Sequence, residues 1–411
     1  MAGITMHTLP RNEPEWWIAA RKYKSANPLE TSIHDAEYVK ASGSKLINPE
    51  CVDIHVLWPH EKRPKFGTDR HVDKIVPQNC FSQSRTHLEG DERFAAYIEC
   101  IRNFPKSVSS SDSKKLGIFA HVLESQIYTR GLQGEDENDK LDLSPIANRT
   151  RARLAQASQL RPQTPSTPTP LRRQQELVQP LHHMDIDVEM NDDILSSPMS
   201  ITYGGSPVTG EEAKQASVIK NEQEVVICLS ILIRALRLVT DSVQTARYAA
   251  EQAIFTVVDK ENEKVYSAKV DGVVRIYPRG KIWVISETKK GPRYRGNLSG
   301  AEIKAQESSE MAAWIAEVPP SNLEEMREKN LLDRRLMINQ NKDEVYIIVG
   351  TYSAHYVDYI CHRETDRLDF LVMQEIGPFR CEEWRAMKLL AEIILAILIW
   401  ACECEAGVRE V

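Results

Sequence analysis

Asp271, Glu287 and Lys289 are the residues of this chain whose types and spacing could do chemistry. In the segment Lys281 to Lys290, KIWVISETKK, the run Ile282 to Ile285 is apolar and rich in β-branched residues, which predicts a buried strand. It leads directly into Ser286, Glu287, Thr288 and Lys289, and alternation along a strand puts Glu287 and Lys289 on one face with Thr288 on the other. Sixteen positions before Glu287, KVYSAKVDGVVRIYP predicts a second strand, carrying Asp271 between Val270 and the pair Val273 and Val274. If the two strands are antiparallel neighbours, their carboxylates converge beside an ammonium. Such a pair suits Mg²⁺ or Mn²⁺, because Mg²⁺ takes oxygen ligands, only one or two of them protein carboxylates, and fills its other positions with water and phosphate. The same residues admit a plainer reading. Glu287 and Lys289 would then be an exposed ion pair of at most about 1 kcal/mol, and Asp271-Gly272 a turn.

The elements that must position these residues follow from periodicity. Asn221 and Glu224 form a capping arrangement ahead of Val225 to Val239, which predicts a mostly buried helix. Ile254 to Val258, the Asp271 strand and the Glu287 strand are separated by the turn-rich DKENEK and YPRGK, predicting a three-strand meander. The loop GPRYRGNLSG leads into a helix from Ala301 to Glu317, stopped by Pro319 and Pro320. On a helical wheel Ile303, Met311, Trp314, Ile315 and Val318 share one arc, with Glu307 inside it and Gln306 and Glu310 at its edge. Glu344 to Val349 then reads as a strand running toward Tyr359, Leu368 to Met373 as another, and Glu382 to Cys402 as a closing helix.

With 411 residues the chain has room for two or three domains. Its 52 basic and 59 acidic residues give a net charge of −7, so any nucleic-acid site must be local. Eight cysteines at irregular spacing form neither a disulfide framework nor a CxxC pair, which predicts an intracellular protein. The longest apolar stretch, Leu389 to Ala401, is 13 residues long and interrupted by Glu392, too short to span a bilayer, so no membrane partner is expected. Residues 1–135 carry scattered order signals, compatible with a small domain or an extension. Trp16, Trp17 and Ile18 precede a basic helix-like segment, Cys51 to Trp58 reads as a short strand, and Phe94 to Ile101 and Leu116 to Tyr128 have helical spacing. Cys51, His55, His60 and His71 match no strong zinc pattern and read as solvated side chains. Residues 136–214 are rich in Pro, Ser, Thr, Gln and Met, which predicts a disordered linker. Its Ser-Pro and Thr-Pro pairs suit proline-directed kinases, and Arg149, Arg151, Arg153, Arg161, Arg172 and Arg173 favour a nuclear over a cytoplasmic address.

A helix, three strands, a helix and a strand, with an acid in the second strand and Glu-x-Lys ending the third, resembles the PD-(D/E)XK, or restriction-endonuclease-like, fold. More closely, KVDGVV, VISETKK, IKAQESSEMAAWI, GTYSAHYVDYI and MQEIGPF resemble the fungal PD-(D/E)XK nuclease-like domain proteins. The match covers residues 215–405, with Val270 where the motif name has proline. It implies an α/β domain with a mixed central sheet, and a Mg²⁺- or Mn²⁺-dependent nuclease acting on nucleic acid, DNA in preference to RNA. Carried over by position, Asp271 and Glu287 become metal ligands, with the Thr288 carbonyl and Glu222 completing the set. Lys289 stabilises phosphoryl charge, and Gln306 or Glu307 complete the site from the later helix. Lys290, Arg293, Tyr294 and Arg295 would contact phosphate and bases. The alternative is a catalytically inactive nuclease-like module that binds nucleic acid or protein partners.

Overall fold

The computed structural model describes residues 9–23, 33–34, 41–42, 52–59, 75–132, 210–294, 299–362 and 367–408. Helices occupy Glu13–Tyr23 (α1), Gln78–Glu89 (α2), Glu92–Arg102 (α3), Ser110–Leu116 (α4) and Phe119–Gly131 (α5), then Gly210–Arg237 (α6). Next come Ser299–Glu317 (α7), Leu323–Lys329 (α8), Ala354–His362 (α9) and Trp384–Glu405 (α10). The strands are Ala41–Ser42 (β1), Val56–Leu57 (β2), Ala246–Ala249 (β3), Ile254–Val258 (β4), Lys264–Lys269 (β5) and Gly272–Ile276 (β6). Lys281–Ser286 (β7), Thr288–Lys289 (β8), Leu332–Asn341 (β9), Glu344–Ser353 (β10) and Leu371–Arg380 (β11) follow.

The fold is α/β around a mixed sheet of order β2-β11-β10-β9-β7-β6-β3, with β8 paired to β9; a smaller sheet has the order β1-β5-β4. β9 runs parallel to β7 and β8, whereas β3, β6 and β7 pair antiparallel in turn. Period-two alternation divides the large sheet between two cores. Val274, Val284, Leu336 and Ile347 point to one, and their neighbours Val273, Ile285, Met337 and Ile348 to the other. The first core is covered by α6, α10 and the helices α2, α3 and α5. The second is covered by α7, α9 and the small sheet.

Several sequence expectations change. The segment KVYSAKVDGVVRIYP is two strands: β5 belongs to the small sheet and β6 to the large one, and the chain crosses between them at Val270 and Asp271. The expected meander is therefore divided over two sheets. β9, which the periodicity did not reveal, is the strand that joins β7 to β10. The strand from Glu344 ends at Ser353, and Tyr359 lies on a helix. Residues 75–132 are neither a separate domain nor an extension, because they share a core with α6 and α10. Of the linker 136–214, residues 210–214 begin α6, and the rest lies outside the described residues.

His55 is buried, stacked on Tyr359 with ring centroids 4.0 Å apart and set edge-on to Trp16; it is not a solvated side chain. Cys51, His60 and His71 lie outside the described residues. Burial pushes the His55 imidazole down to about 3, so the folded protein resists a proton that the unfolded chain accepts near pH 6.5. The stabilisation is complete above pH 6.5 and is lost as the pH falls toward 3. Replacing His55 with phenylalanine should flatten the dependence of melting temperature on pH within that window, as read by thermal melts between pH 4 and 7.

Candidate active site at the β7–β8 break

The β7 ladder stops at Ser286 and β8 resumes at Thr288, leaving Glu287 between them. Its amide donates to Asn339 Oδ1 of β9 at 3.0 Å in place of a backbone carbonyl, while its own carbonyl accepts from the Gln340 amide. The alternation resumes across this break. Lys289 Nζ lies 2.5 Å from Glu287 Oε1, and Thr288 turns away, donating its amide (2.9 Å) and hydroxyl (2.7 Å) to Asp271 Oδ2. Asp271 is held where the chain changes sheets by its own amide, which donates to the Ser286 carbonyl.

Gly272, beside it, has no room for a side chain: a Cβ there would lie 2.3 Å from the Tyr248 hydroxyl oxygen. That close approach lets Tyr248 reach Ser286 Oγ at 2.8 Å.

The helix α7 closes the site. Gln306 Nε2 donates to Glu287 Oε1 (2.6 Å) and to Glu310 Oε1 (2.8 Å), one helical turn on. From α6, Glu222 Oε1 lies 4.0 Å from Lys289 Nζ. Glu287 and Glu222 thus flank one ammonium, with Asp271 close enough to act on its charge. Glu287 and Glu310 are buried, and the second oxygen of each has no hydrogen-bond partner.

Burial raises the Glu287 carboxyl to about 8, with Asp271 and Glu222 adding to the effect and Lys289 opposing it. Burial likewise raises Glu310, with Glu287 as the next contributor. Burial works against the charge of Lys289, but Glu287, Glu222 and Asp271 outweigh it and hold the ammonium protonated.

The sequence-predicted residues separate into two groups. Asp271, Glu287, Thr288, Lys289, Gln306 and Glu222 come together at the break between β7 and β8. Arg293 corrects expectation: it is fully buried and ion-paired with Glu307 and with Glu375 Oε2 at 3.0 Å, so its charge serves the interior and not a ligand. The contact to phosphate expected of Arg293 rested on its place in a loop of glycines and polar residues, whereas both carboxylates that draw it inward lie on α7 and β11. Glu307 is correspondingly directed to Arg293 and Asn339, away from Glu287. Tyr294 is half exposed, its hydroxyl donating to Glu375 at 2.6 Å, and Lys290 is half-buried. Arg295 lies outside the described residues.

Glu310 and Asn339 are the residues that sequence reasoning did not assign to the site. Glu310 was signalled by its position four residues after Gln306. Asn339 lies on the strand whose apolar pattern is masked by Asp333, Arg334 and Arg335.

Among the described residues, no three His, Cys, Asp or Glu side chains stand together as a ready-made metal-ligand set. A Mg²⁺ ion asks less than that, and the unpartnered, buried Glu287 Oε2 with Asp271 nearby fits its demand for one or two carboxylates. Among the described residues no helix is long and apolar enough to cross a membrane. Comparison with protein-family models, with curated proteins and with solved structures finds no match to this chain.

Proposed function

We propose that this chain is a metal-dependent nuclease of the restriction-endonuclease-like kind, hydrolysing phosphodiester bonds in nucleic acid, DNA in preference to RNA. The observation that carries the reading is Glu287: a buried carboxylate with one oxygen shared by Lys289 and Gln306 and the other unpartnered, at a strand break beside Asp271. Asp271 and Glu287 would hold Mg²⁺ or Mn²⁺. The ion, when bound, lowers the pKa of a water and neutralises phosphate charge.

The chain's own residues do the rest. Thr288 fixes Asp271 through two hydrogen bonds, and Gln306 fixes Glu287. Lys289, held protonated by its neighbours, supplies a preorganised positive charge for the phosphoryl group. Tyr294, half exposed, offers an aromatic face for base stacking. The arginines of the 136–214 segment suit a nuclear address.

The test uses the full chain. A ligand bound only by the folded state stabilises it by about 2.7 kcal/mol at a hundred times its dissociation constant. Millimolar Mg²⁺ or Mn²⁺ should therefore raise the melting temperature, and the same ions should support cleavage of single- or double-stranded DNA. An unchanged melting temperature together with intact DNA and RNA would overturn this reading and leave a nuclease-like binding module.

A further inference from the structure

A chain of buried polar groups runs from the backbone of Glu287 to the loop after β8. Asn339 accepts from the Glu287 amide at 3.0 Å and donates its Nδ2 to Glu307, which takes the Arg293 guanidinium on its other oxygen. Arg293 continues to Glu375 at 3.0 Å, and Glu375 accepts from the Tyr294 hydroxyl at 2.6 Å. Asn339, Glu307 and Arg293 are fully buried, and Arg293 packs over the Tyr346 ring at 4.7 Å.

Every link has a fixed direction. An amide donates into Asn339, Asn339 donates into Glu307, and Arg293 donates into Glu307. At Asn339 the chain ends on Glu287, whose peptide has left the regular ladder and whose amide donates to this side chain instead of to a backbone carbonyl. The direction in which the Glu287 carboxylate leaves the strand is thus set by a side chain on the neighbouring strand, and that side chain is itself oriented by the Glu307–Arg293 pair.

We infer that Asn339 is a positioning residue for Glu287, and that the Glu307–Arg293 pair locks it in the orientation that presents the carboxylate. This inference rests on the proposed metal-dependent reading of the site. Groups that orient a metal ligand without touching the metal typically contribute about 10–100-fold in metal affinity or activity.

The direction of the chain supplies the test. Asn339→Asp keeps the acceptor for the Glu287 amide but sets a carboxylate against Glu307, and Glu307→Gln alone turns a donor or a weakened acceptor toward Arg293. Combining Asn339→Asp with Glu307→Gln restores each link, because the amide introduced on α7 can donate to the carboxylate introduced on β9 and accept from Arg293, with one negative charge retained. Three quantities are measured on the full chain at a temperature where every variant is folded. They are the hydrogen-exchange rate of the Glu287 amide, the Mn²⁺ affinity by calorimetry, and the Mg²⁺ concentration for half-maximal cleavage.

Asn339→Asp is expected to speed exchange at Glu287 and to weaken both metal parameters by about 10-fold or more, without changing the KM for nucleic acid; the double variant is expected to recover most of the loss. Unchanged metal parameters in Asn339→Asp, or a double variant that regains its melting temperature but not its metal affinity, would overturn the inference. Failure of the underlying reading is visible separately, since a wild-type protein that neither takes up Mn²⁺ nor cleaves would show it before any variant is made.

Discussion

Replacing Glu287 with alanine is expected to abolish the metal-dependent rise in melting temperature and cleavage together, whereas replacing Lys289 with alanine should slow only the second. The reason lies in what each side chain leaves behind. Without Glu287, Asp271 remains with one oxygen already committed to Thr288, and the ligand set keeps too few oxygens for the ion. Without Lys289, both carboxylates stay in place, and the loss of a positive charge near the ion leaves metal affinity intact or slightly higher. What disappears is a preorganised charge for the reaction, a change on the order of 10²–10³ in rate. The metal-free melting temperature of Glu287→Ala is the control for folding. It should not fall steeply, because burial already disfavours the carboxylate and Lys289 keeps Glu222 as a partner. Glu287→Gln, which preserves the shape, should behave like alanine toward metal. Equal metal affinity in both alanine variants, with cleavage unchanged in either, would reduce Glu287 and Lys289 to a structural ion pair.

The largest stability effect is expected at Arg293. Arg293→Met removes the guanidinium paired with Glu307 and leaves that carboxylate buried beside Asn339, with Glu375 retaining Lys304 at 3.7 Å and the Tyr294 hydroxyl. Breaking a buried pair from one side costs about 3–5 kcal/mol, since the remaining charge has no compensation. Removing the second charge as well, in Arg293→Met with Glu307→Gln, should recover most of that cost, because a neutral pair of similar volume needs no counter-ion. Denaturant melts of the two single variants and the double variant measure the coupling directly. Simple additivity would show that the pair is not energetically linked.

The local signals in this sequence were the legible ones. Ile282 to Ile285 reads as a strand from four residues, and the helix after GPRYRGNLSG reads from its apolar arc and from Pro319 and Pro320. Both signals lie within the elements themselves and their immediate flanks. β9 is different: its polar start, LDRR, and polar end, NQN, hide the short apolar centre, and Asn339, the first residue of that end, meets Glu287 and Glu307, both far away in sequence. The division of β5 from β6 was illegible for a related reason. Asp271-Gly272 signals a turn locally, but a turn does not say that the chain changes sheets there, which is imposed by the sheet each half completes. The burial of Arg293 was hidden in the same way: one of its partners is 14 residues on, and the other lies on β11.

The helix α10 is buried along nearly its whole length, with α2 and α3 on one side and the large sheet on the other. It is also the last described element in the order of synthesis. Helices α2 to α5 are complete once residue 131 has been added, yet the surface they present to α10 has no native cover until residues 384–405 have emerged. At about 5–20 residues per second the interval is on the order of a quarter of a minute to a minute. Until then Phe81 and Leu88, buried on α2 in the folded chain, lack the cover that α10 gives their helix. A chain that stopped short of this helix would leave that face of α2 and α3 without the cover α10 gives it in the fold.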